Sequence, residues 1–271
     1  MENKKRVPKS VLILLIILAA AAVAVGGTVL ALYIYGVRYI KVPVTNESGE
    51  EEINKFFGIV DRDGDLYKGK IIYADGLSAN VDSETGTITY SNGDTYTGGM
   101  TDLERNGRGT LRYSNGDVYE GDFVMGTITG TGKYMYNNGD VYEGGFSDGK
   151  KNGEGKYVWA DGSVYEGGFE LDKKNGHGVY SWADNSMYDG DYKSDLKEGT
   201  GKYVYSNGDV YEGDFKADVR SGEGTYTWAD GGSYTGEFAN NLPNGEGTYT
   251  WASGRSYSGH FLNGQIVRTE D

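Results

Sequence analysis

The sequence has no cysteine, which excludes a disulfide framework, thiol catalysis and thiolate metal sites. That absence fits an oxidising, extracytoplasmic setting. Two histidines are too few for most imidazole metal centres. Three prolines beside 45 glycines exclude both a collagen helix and a proline-rich linker. Basic charge is short as well, with 26 Lys and Arg against 40 Asp and Glu and a net charge of −14. The shortfall is uneven. Residues 1–41 hold Lys4, Lys5, Arg6, Lys9, Arg38 and Lys41 against Glu2 alone, 6 − 1 = +5, which leaves −14 − 5 = −19 for the remainder. A surface that acidic repels phosphate backbones and anionic headgroups, so nucleic acid is not an expected partner.

One long apolar run stands apart: 25 uncharged residues from Val11 to Tyr35, mostly Val, Ile, Leu and Ala. As a helix it would reach ~37 Å, enough to cross a ~30 Å hydrocarbon core with some tilt. Tyr33, Tyr35 and Tyr39 at its far end suit the headgroup zone. Four basic residues before the run and two after it keep the N-terminus in the cytoplasm. A cleaved signal peptide is the competing reading, with Ala22-Val23-Ala24 as its small residues. Its apolar core, about 7–15 residues, is shorter than this run. The sequence therefore predicts a basic cytoplasmic N-terminus over 1–10, a transmembrane helix over 11–35 and a polar linker over 36–55. The expected localisation is the cell membrane, single-pass, with everything beyond about Arg38 extracytoplasmic.

The richest residues after that are glycine and tyrosine, and they are periodic. Tyrosine returns every 23 residues at Tyr96, Tyr119, Tyr142, Tyr165, Tyr188, Tyr211, Tyr234 and Tyr257. Two places after each stands Gly98, Gly121, Gly144, Gly167, Gly190, Gly213, Gly236 or Gly259. A fixed period of this size marks one supersecondary unit stacked on copies of itself. Tyr142-Glu143-Gly144-Gly145-Phe146 alternates between two faces, as do Gly153, Gly155, Tyr157 and Trp159 against Glu154, Lys156 and Val158. Alternation over short segments bounded by Gly, Asn and Asp reads as strands. Six polar residues are expected to connect the two strands of a repeat. Asn115-Gly116, Asn138-Gly139 or Asp161-Gly162 would connect one repeat to the next as type I′ hairpin turns.

Strand glycines let rings from the adjacent strand lie flat over bare backbone. The expected fold class is an all-β repeat array, an elongated and twisted single antiparallel β-meander preceded by one transmembrane α-helix. At two strands per repeat and ~4.8 Å per strand, eight repeats extend about 75 Å.

Tyr-Glu-Gly at Tyr119, Tyr142, Tyr165 and Tyr211, with Gly-x-Gly-x-Tyr at Gly130, Gly153, Gly222 and Gly245, resembles the MORN (membrane occupation and recognition nexus) repeat family. The likeness covers Tyr96 to Gly264 in one register, so the array is set at 96–264. A cap and a diverged repeat, opening at Tyr67-Lys68-Gly69, occupy 56–95, and 265–271 is a tail. The resemblance implies an interaction or assembly module, here a membrane-anchored one.

No residue set points to catalysis, a cofactor or a metal. Asp61-Arg62-Asp63-Gly64-Asp65 imitates the start of a calcium loop, but the position for its bidentate Glu is Ile72 and its Gly comes two places early. Acidic turns at Asp94, Asp117, Asp140 and Asp209 offer at most weak cation binding, with solvated turn chemistry as the plainer reading. His177 and His260 occupy slots filled elsewhere by Arg108, Glu154, Asp122 or Gly145, which marks them as exposed repeat positions. The expected partner is an unknown protein or a cell-surface polymer, held by the aromatic face or the six-residue connectors. Cell-wall carbohydrate or lipid on the aromatic face is the alternative. An enzyme is not expected, since no catalytic domain follows the array.

Overall fold

The computed structural model describes Val25, Thr28, Val29 and residues 35–45, 49–61 and 65–267. These hold 21 strands. The chain divides into two compact units, Met1–Glu104 and Arg105–Asp271.

In the N-terminal unit β1 (Val37–Thr45), β2 (Glu51–Val60), β3 (Leu66–Ile72), β4 (Ser78–Asp82), β5 (Thr87–Tyr90) and β6 (Thr95–Thr101) follow one another. From β1 to β6 each strand lies antiparallel to its predecessor. Phe56 is fully buried, with Gly58 and Gly69 directly beneath its ring, and Ile71, Val81, Ile88 and Tyr96 complete the core. The stretch 36–55, expected as a polar linker, instead contains β1 and the start of β2, with Thr45 opposite Glu51. Its alternation of Val37, Tyr39 and Lys41 against Arg38, Ile40 and Val42 gave no clear strand face, which is why it read as a linker.

Two larger expectations fail. Of the predicted transmembrane helix over 11–35 only Val25, Thr28, Val29 and Tyr35 are described, and the rest lies outside the described residues. No helix among the described residues is long and apolar enough to cross a membrane. The fold class is accordingly corrected to an all-β antiparallel meander, with no membrane-spanning helix among the described residues. The single-pass localisation rested wholly on that helix and is not supported. An apolar run supplies the composition of a span but not its geometry.

The C-terminal unit carries the period. Its strands are β7 (Glu104–Arg112), β8 (Val118–Val124), β9 (Thr127–Met135), β10 (Val141–Ser147), β11 (Lys150–Val158), β12 (Val164–Glu170), β13 (Lys173–Ser181) and β14 (Met187–Lys193). They continue as β15 (Leu196–Val204), β16 (Val210–Lys216), β17 (Val219–Thr227), β18 (Ser233–Ala239), β19 (Leu242–Thr250), β20 (Ser256–Leu262) and β21 (Gln265–Ile266). Successive strands pair antiparallel, with Tyr119 opposite Tyr134 and Gly121 opposite Gly132, then Tyr142 opposite Tyr157 and Gly144 opposite Gly155. Tyr faces Tyr and Gly faces Gly in this way in each repeat from β8 to β19, so the aromatic and glycine positions share one side.

The turns reverse the sequence expectation. Within a repeat the connection is two residues, not six: Asp148 and Gly149 at φ +49° and +75°, or Leu171 and Asp172 at +48° and +72°. Two successive positive φ values are type I′ geometry, whose twist matches that of the flanking strands. The other four polar residues belong to the strands themselves. Between repeats the loop is three residues, as in Asn137-Asn138-Gly139, where Gly139 N–H donates to Tyr136 O at 3.0 Å and Tyr136 N–H donates to Asp140 O at 2.9 Å. Only Gly139 there has positive φ, +95°. That is a type I turn closed by a left-handed residue. Asn138 holds it by accepting the Asp140 N–H on its side chain at 3.0 Å.

Each Gly-x-Gly pair answers two separate constraints. Gly144 faces Gly155 but Phe146 faces Lys151, so β11 bulges over Asn152–Glu154. Gly153 in the bulge sits at φ +86°, where an L side chain would cost ~1–2 kcal/mol. Gly155 has an ordinary backbone and is glycine because the Tyr142 ring covers it. Leu171 meets the left-handed constraint with the wrong side chain, being 62% exposed at φ +48°. Leu171→Asn is expected to stabilise by about 1 kcal/mol, since Asn tolerates that region. A higher urea midpoint at unchanged slope would register it.

Candidate functional site

The aromatic face is built in two ranks. The inner rank is the periodic tyrosines: Tyr96, Tyr119, Tyr142, Tyr165, Tyr188, Tyr211 and Tyr234 are fully buried, and Tyr257 at the end is half-buried. From Tyr119 to Tyr234 each ring lies over its own Gly two residues on and the facing Gly of the next strand, as Tyr165 does over Gly167 and Gly178. Its hydroxyl donates to a carbonyl three residues later, Tyr142 to Gly145 at 2.9 Å and Tyr165 to Gly168 at 3.0 Å. Phe123, Phe146, Phe169, Tyr192, Phe215, Phe238 and Phe261 stand edge-on to these rings, with Tyr142 touching both Phe146 and Phe169 at 5.1 Å between centroids. The inner rank is therefore core, with Tyr96 to Tyr234 buried and the glycines from Gly121 to Gly236 beneath the rings from Tyr119 to Tyr234.

The outer rank runs without a break from Tyr113 through Tyr134, Tyr136, Tyr157, Trp159, Tyr180, Trp182, Tyr203, Tyr205, Tyr226, Trp228 and Tyr249 to Trp251. Neighbouring centroids are 4.3–5.9 Å apart, with two steps per repeat. These rings are half-exposed up to Tyr249, and Trp251 is exposed. Burial pushes the Tyr136 hydroxyl up to about 12, with Asp172, Asp117 and Asp140 adding to it.

A row of cations lies between the ranks. Lys174 Nζ is 5.7 Å from the Tyr165 centroid, 4.9 Å from Tyr180 and 5.0 Å from Tyr192. Lys151 sits likewise over Tyr157 at 5.0 Å, Lys197 over Tyr188 at 5.7 Å and Arg220 over Tyr226 at 4.9 Å. Lys197 pairs with Asp218 at 3.1 Å, and Arg220 donates to Asn241 O at 2.7 Å. The ammonium groups of Lys151 and Lys174 have no ion pair or hydrogen bond among the described residues. Burial pulls both below the ordinary lysine value, against the opposing pull of nearby carboxylates, Asp172 first for Lys151 and Asp195 first for Lys174. These lysines were missed in the sequence because they sit in the supposed loops. Their signal was there: positions 105, 128, 151, 174, 197, 220 and 243 read Arg, Ile, Lys, Lys, Lys, Arg, Pro at the same period.

Turn carboxylates tie repeat to repeat. Asp172 accepts the Lys151 N–H on Oδ1 at 2.9 Å and returns its own N–H to Lys151 O at 3.0 Å; Asp195 does the same for Lys174. At the other edge Asp140 is buried and accepts the Ala160 N–H at 2.8 Å and the Tyr157 hydroxyl at 2.8 Å. Asp117 and Asp209 repeat this with Asn137 and Tyr134, and with Ala229 and Tyr226. Where the turn reads Ala-Asp-Gly-Ser, Ser163 takes that place and accepts the Ala183 N–H at 3.2 Å. Three of the four carboxylates weighed for weak cation binding are thus inter-repeat acceptors, and Asp94 pairs with its own turn residue Asn92 at 2.9 Å.

The opposite face is charged, with Lys156 and Glu166 at 3.3 Å and Lys202 and Glu212 at 3.7 Å. His177 there is 3.1 Å from Asp189 and 3.5 Å from Asp191, and His260 is 3.3 Å from Glu246, all on exposed side chains. Among the described residues no group of three or more His, Asp or Glu could hold a metal ion. Arg62, Asp63 and Gly64 of the calcium-loop imitation lie outside the described residues.

A family model described as MORN repeat matches seven segments: 96–118, 119–141, 142–164, 165–187, 188–210, 211–233 and 234–254. No curated protein matches the chain. Among solved structures it is similar to the Drosophila melanogaster SAS-4 (dCPAP) TCP domain, solved with a proline-rich motif of Ana2, at 14% identity, covering 82% of this chain and 90% of that one with a TM-score of 0.24. The CPAP G-box domain matches at 11% identity, over 82% of this chain and 100% of the other, with a TM-score of 0.26. A streptogramin B lyase matches at 11% identity, over 87% and 84%, with a TM-score of 0.16. Scores of that size do not establish a shared arrangement.

Proposed function

The chain belongs to the MORN repeat family, and we propose that it is a repeat scaffold that binds a protein or polymer partner along its outer aromatic rank, without catalysis. The observation that carries this reading is the difference between the ranks. The inner tyrosines and their phenylalanines are buried and make a complete core. The outer rings add a continuous half-exposed aromatic strip over it. A lone exposed ring means little, but a contiguous strip of them is a recognition surface. A repeat array offers just such an extended surface on a rigid frame. His177 and His260 are exposed beside carboxylates on the opposite, charged face and take no part in the aromatic strip.

Affinity capture with the full chain tests this. A Trp159→Ala/Trp182→Ala variant should lose the retained protein or glycan, while a Lys156→Ala/Glu166→Ala control on the charged face keeps it. Melting curves of all three check the fold. Identical retention by the tryptophan variant would sink the reading.

A further inference from the structure

We infer that the outer rank takes a neutral-to-basic, proline-rich segment in the polyproline II conformation, seated across the repeats around Trp159 and Trp182. This rests on the scaffold reading above and names its partner class. Three observations carry it.

The first is pitch. Two strands per repeat at ~4.8 Å set the array's advance at ~9.6 Å. A polyproline II helix has three residues per turn at ~3.1 Å each, so one face returns every ~9.3 Å. Each turn of such a ligand therefore meets the same chemistry in each successive repeat. A ligand of about nine residues spans three repeats.

The second is donors without acceptors. The ammonium groups of Lys151 and Lys174 and the indole N–H groups of Trp159 and Trp182 have no acceptor among the described residues. They flank one stretch of the strip, with Lys151 5.0 Å from Tyr157 and Lys174 4.9 Å from Tyr180. Polyproline II is the complementary backbone, because its carbonyls make no internal hydrogen bonds and proline has no N–H to offer in return. Aromatic grooves that add such donors are a general means of holding it.

The third is what the rings leave open. Trp159 lies 4.5 Å from Tyr157 and 4.9 Å from Tyr180, tilted by 41° and 31°, so neighbouring rings overlap at an angle rather than forming one flat platform. A pyranose needs an open ring face to stack on. Pyrrolidine rings need only the slots between ring edges. Charge points the same way, since a chain with −19 beyond residue 41 disfavours an acidic partner.

Peptides of three, six, nine and twelve prolines, each ending in Lys-Lys, are titrated into the full chain with tryptophan fluorescence as the readout. A Gly-Ser twelve-residue peptide with the same end and cellohexaose are the comparators. Affinity is expected to rise in steps of one turn, roughly tenfold from six to nine residues, and to level off thereafter. Lys151→Met/Lys174→Met, which keeps the stems over the rings, should weaken the nine-residue peptide about tenfold without lowering the melting temperature. Trp182→Phe, which keeps a ring and removes the N–H, should weaken it severalfold. No saturable response to twelve prolines at millimolar concentration, or an equal response to the Gly-Ser peptide or the sugar, overturns the inference. If a partner captured through Trp159 and Trp182 is not displaced by the proline peptides, the polyproline inference fails while the scaffold reading stands.

Discussion

Gly178→Ala is expected to destabilise the protein by about 3 kcal/mol, at the upper end of what overpacking one methyl produces. Gly178 faces Gly167 across the β12–β13 pair, and the Tyr165 ring lies over both. A methyl there would come within 2.6 Å of ring carbons Cε2 and Cζ, and closer still to the hydroxyl oxygen. The ring has nowhere to go. Its hydroxyl is held by Gly168 O at 3.0 Å, and Phe169 and Tyr192 stand edge-on to it at 5.1 and 5.3 Å. Tyr165→Ala alone removes a fully buried ring and should cost about 4 kcal/mol. The double substitution is the decisive case. With the ring gone the added methyl meets open space, so its cost should vanish and leave a coupling of about 2–3 kcal/mol between the sites. Strict additivity in urea unfolding would mean that the ring does not rest on that backbone, and the account of the core would fail with it.

That arrangement was legible in the sequence because it is periodic and because only glycine permits it. The 23-residue return of tyrosine and glycine gave the meander and its shared aromatic and glycine face, but not the facing pairs Tyr119–Tyr134 and Gly121–Gly132 or the division into a buried and a half-exposed rank. The turns were legible as turns but not as types. Leu171 and Ala217 hold left-handed positions that their residue type does not announce, because the twist of the two flanking strands imposes them. Lys151 and Lys174 looked like solvated loop charges since a lysine stem lying over rings leaves no polar trace in the local pattern. Asp117, Asp140 and Asp209 looked like turn residues, and they are, but each also serves a backbone N–H 20 residues on. Their second role follows from repeat stacking, which no single turn encodes. Val11–Tyr35 is the contrary case: length, apolar composition and flanking residues carried the expectation of a membrane span with no repeat spacing to check it, and no helix among the described residues is long and apolar enough to make one.

Removing one of these carboxylates should be the costliest polar change in the array. Asp140→Ala strips the acceptor from the Ala160 N–H and the Tyr157 hydroxyl, both at 2.8 Å, at a position only 9% exposed. Leaving two donors unmet at such a site costs about 3 kcal/mol. Asp140→Asn keeps one acceptor and should cost about half as much. The same carboxylate makes stability depend on pH. Burial by itself would raise its pKa, but the Ala160 N–H, the Tyr157 hydroxyl and the Asn138 amide outweigh it and bring the group below its ordinary value. Asp117 is lowered by the same balance, and Asp209 chiefly by the Tyr226 hydroxyl. A carboxylate with a depressed folded pKa binds its proton more readily in the unfolded chain. Its contribution is therefore complete above the unfolded value and is lost as pH falls through the folded one, which places the loss below about pH 4. Urea midpoints measured from pH 7 to pH 2.5 should drop steeply in that window for the native chain. An Asp117→Asn/Asp140→Asn/Asp209→Asn variant should start lower at neutral pH and fall less on acidification. Parallel curves for the two proteins would mean that these three acids do not couple the repeats, and that the stack is held by its aromatic ranks and backbone pairing alone.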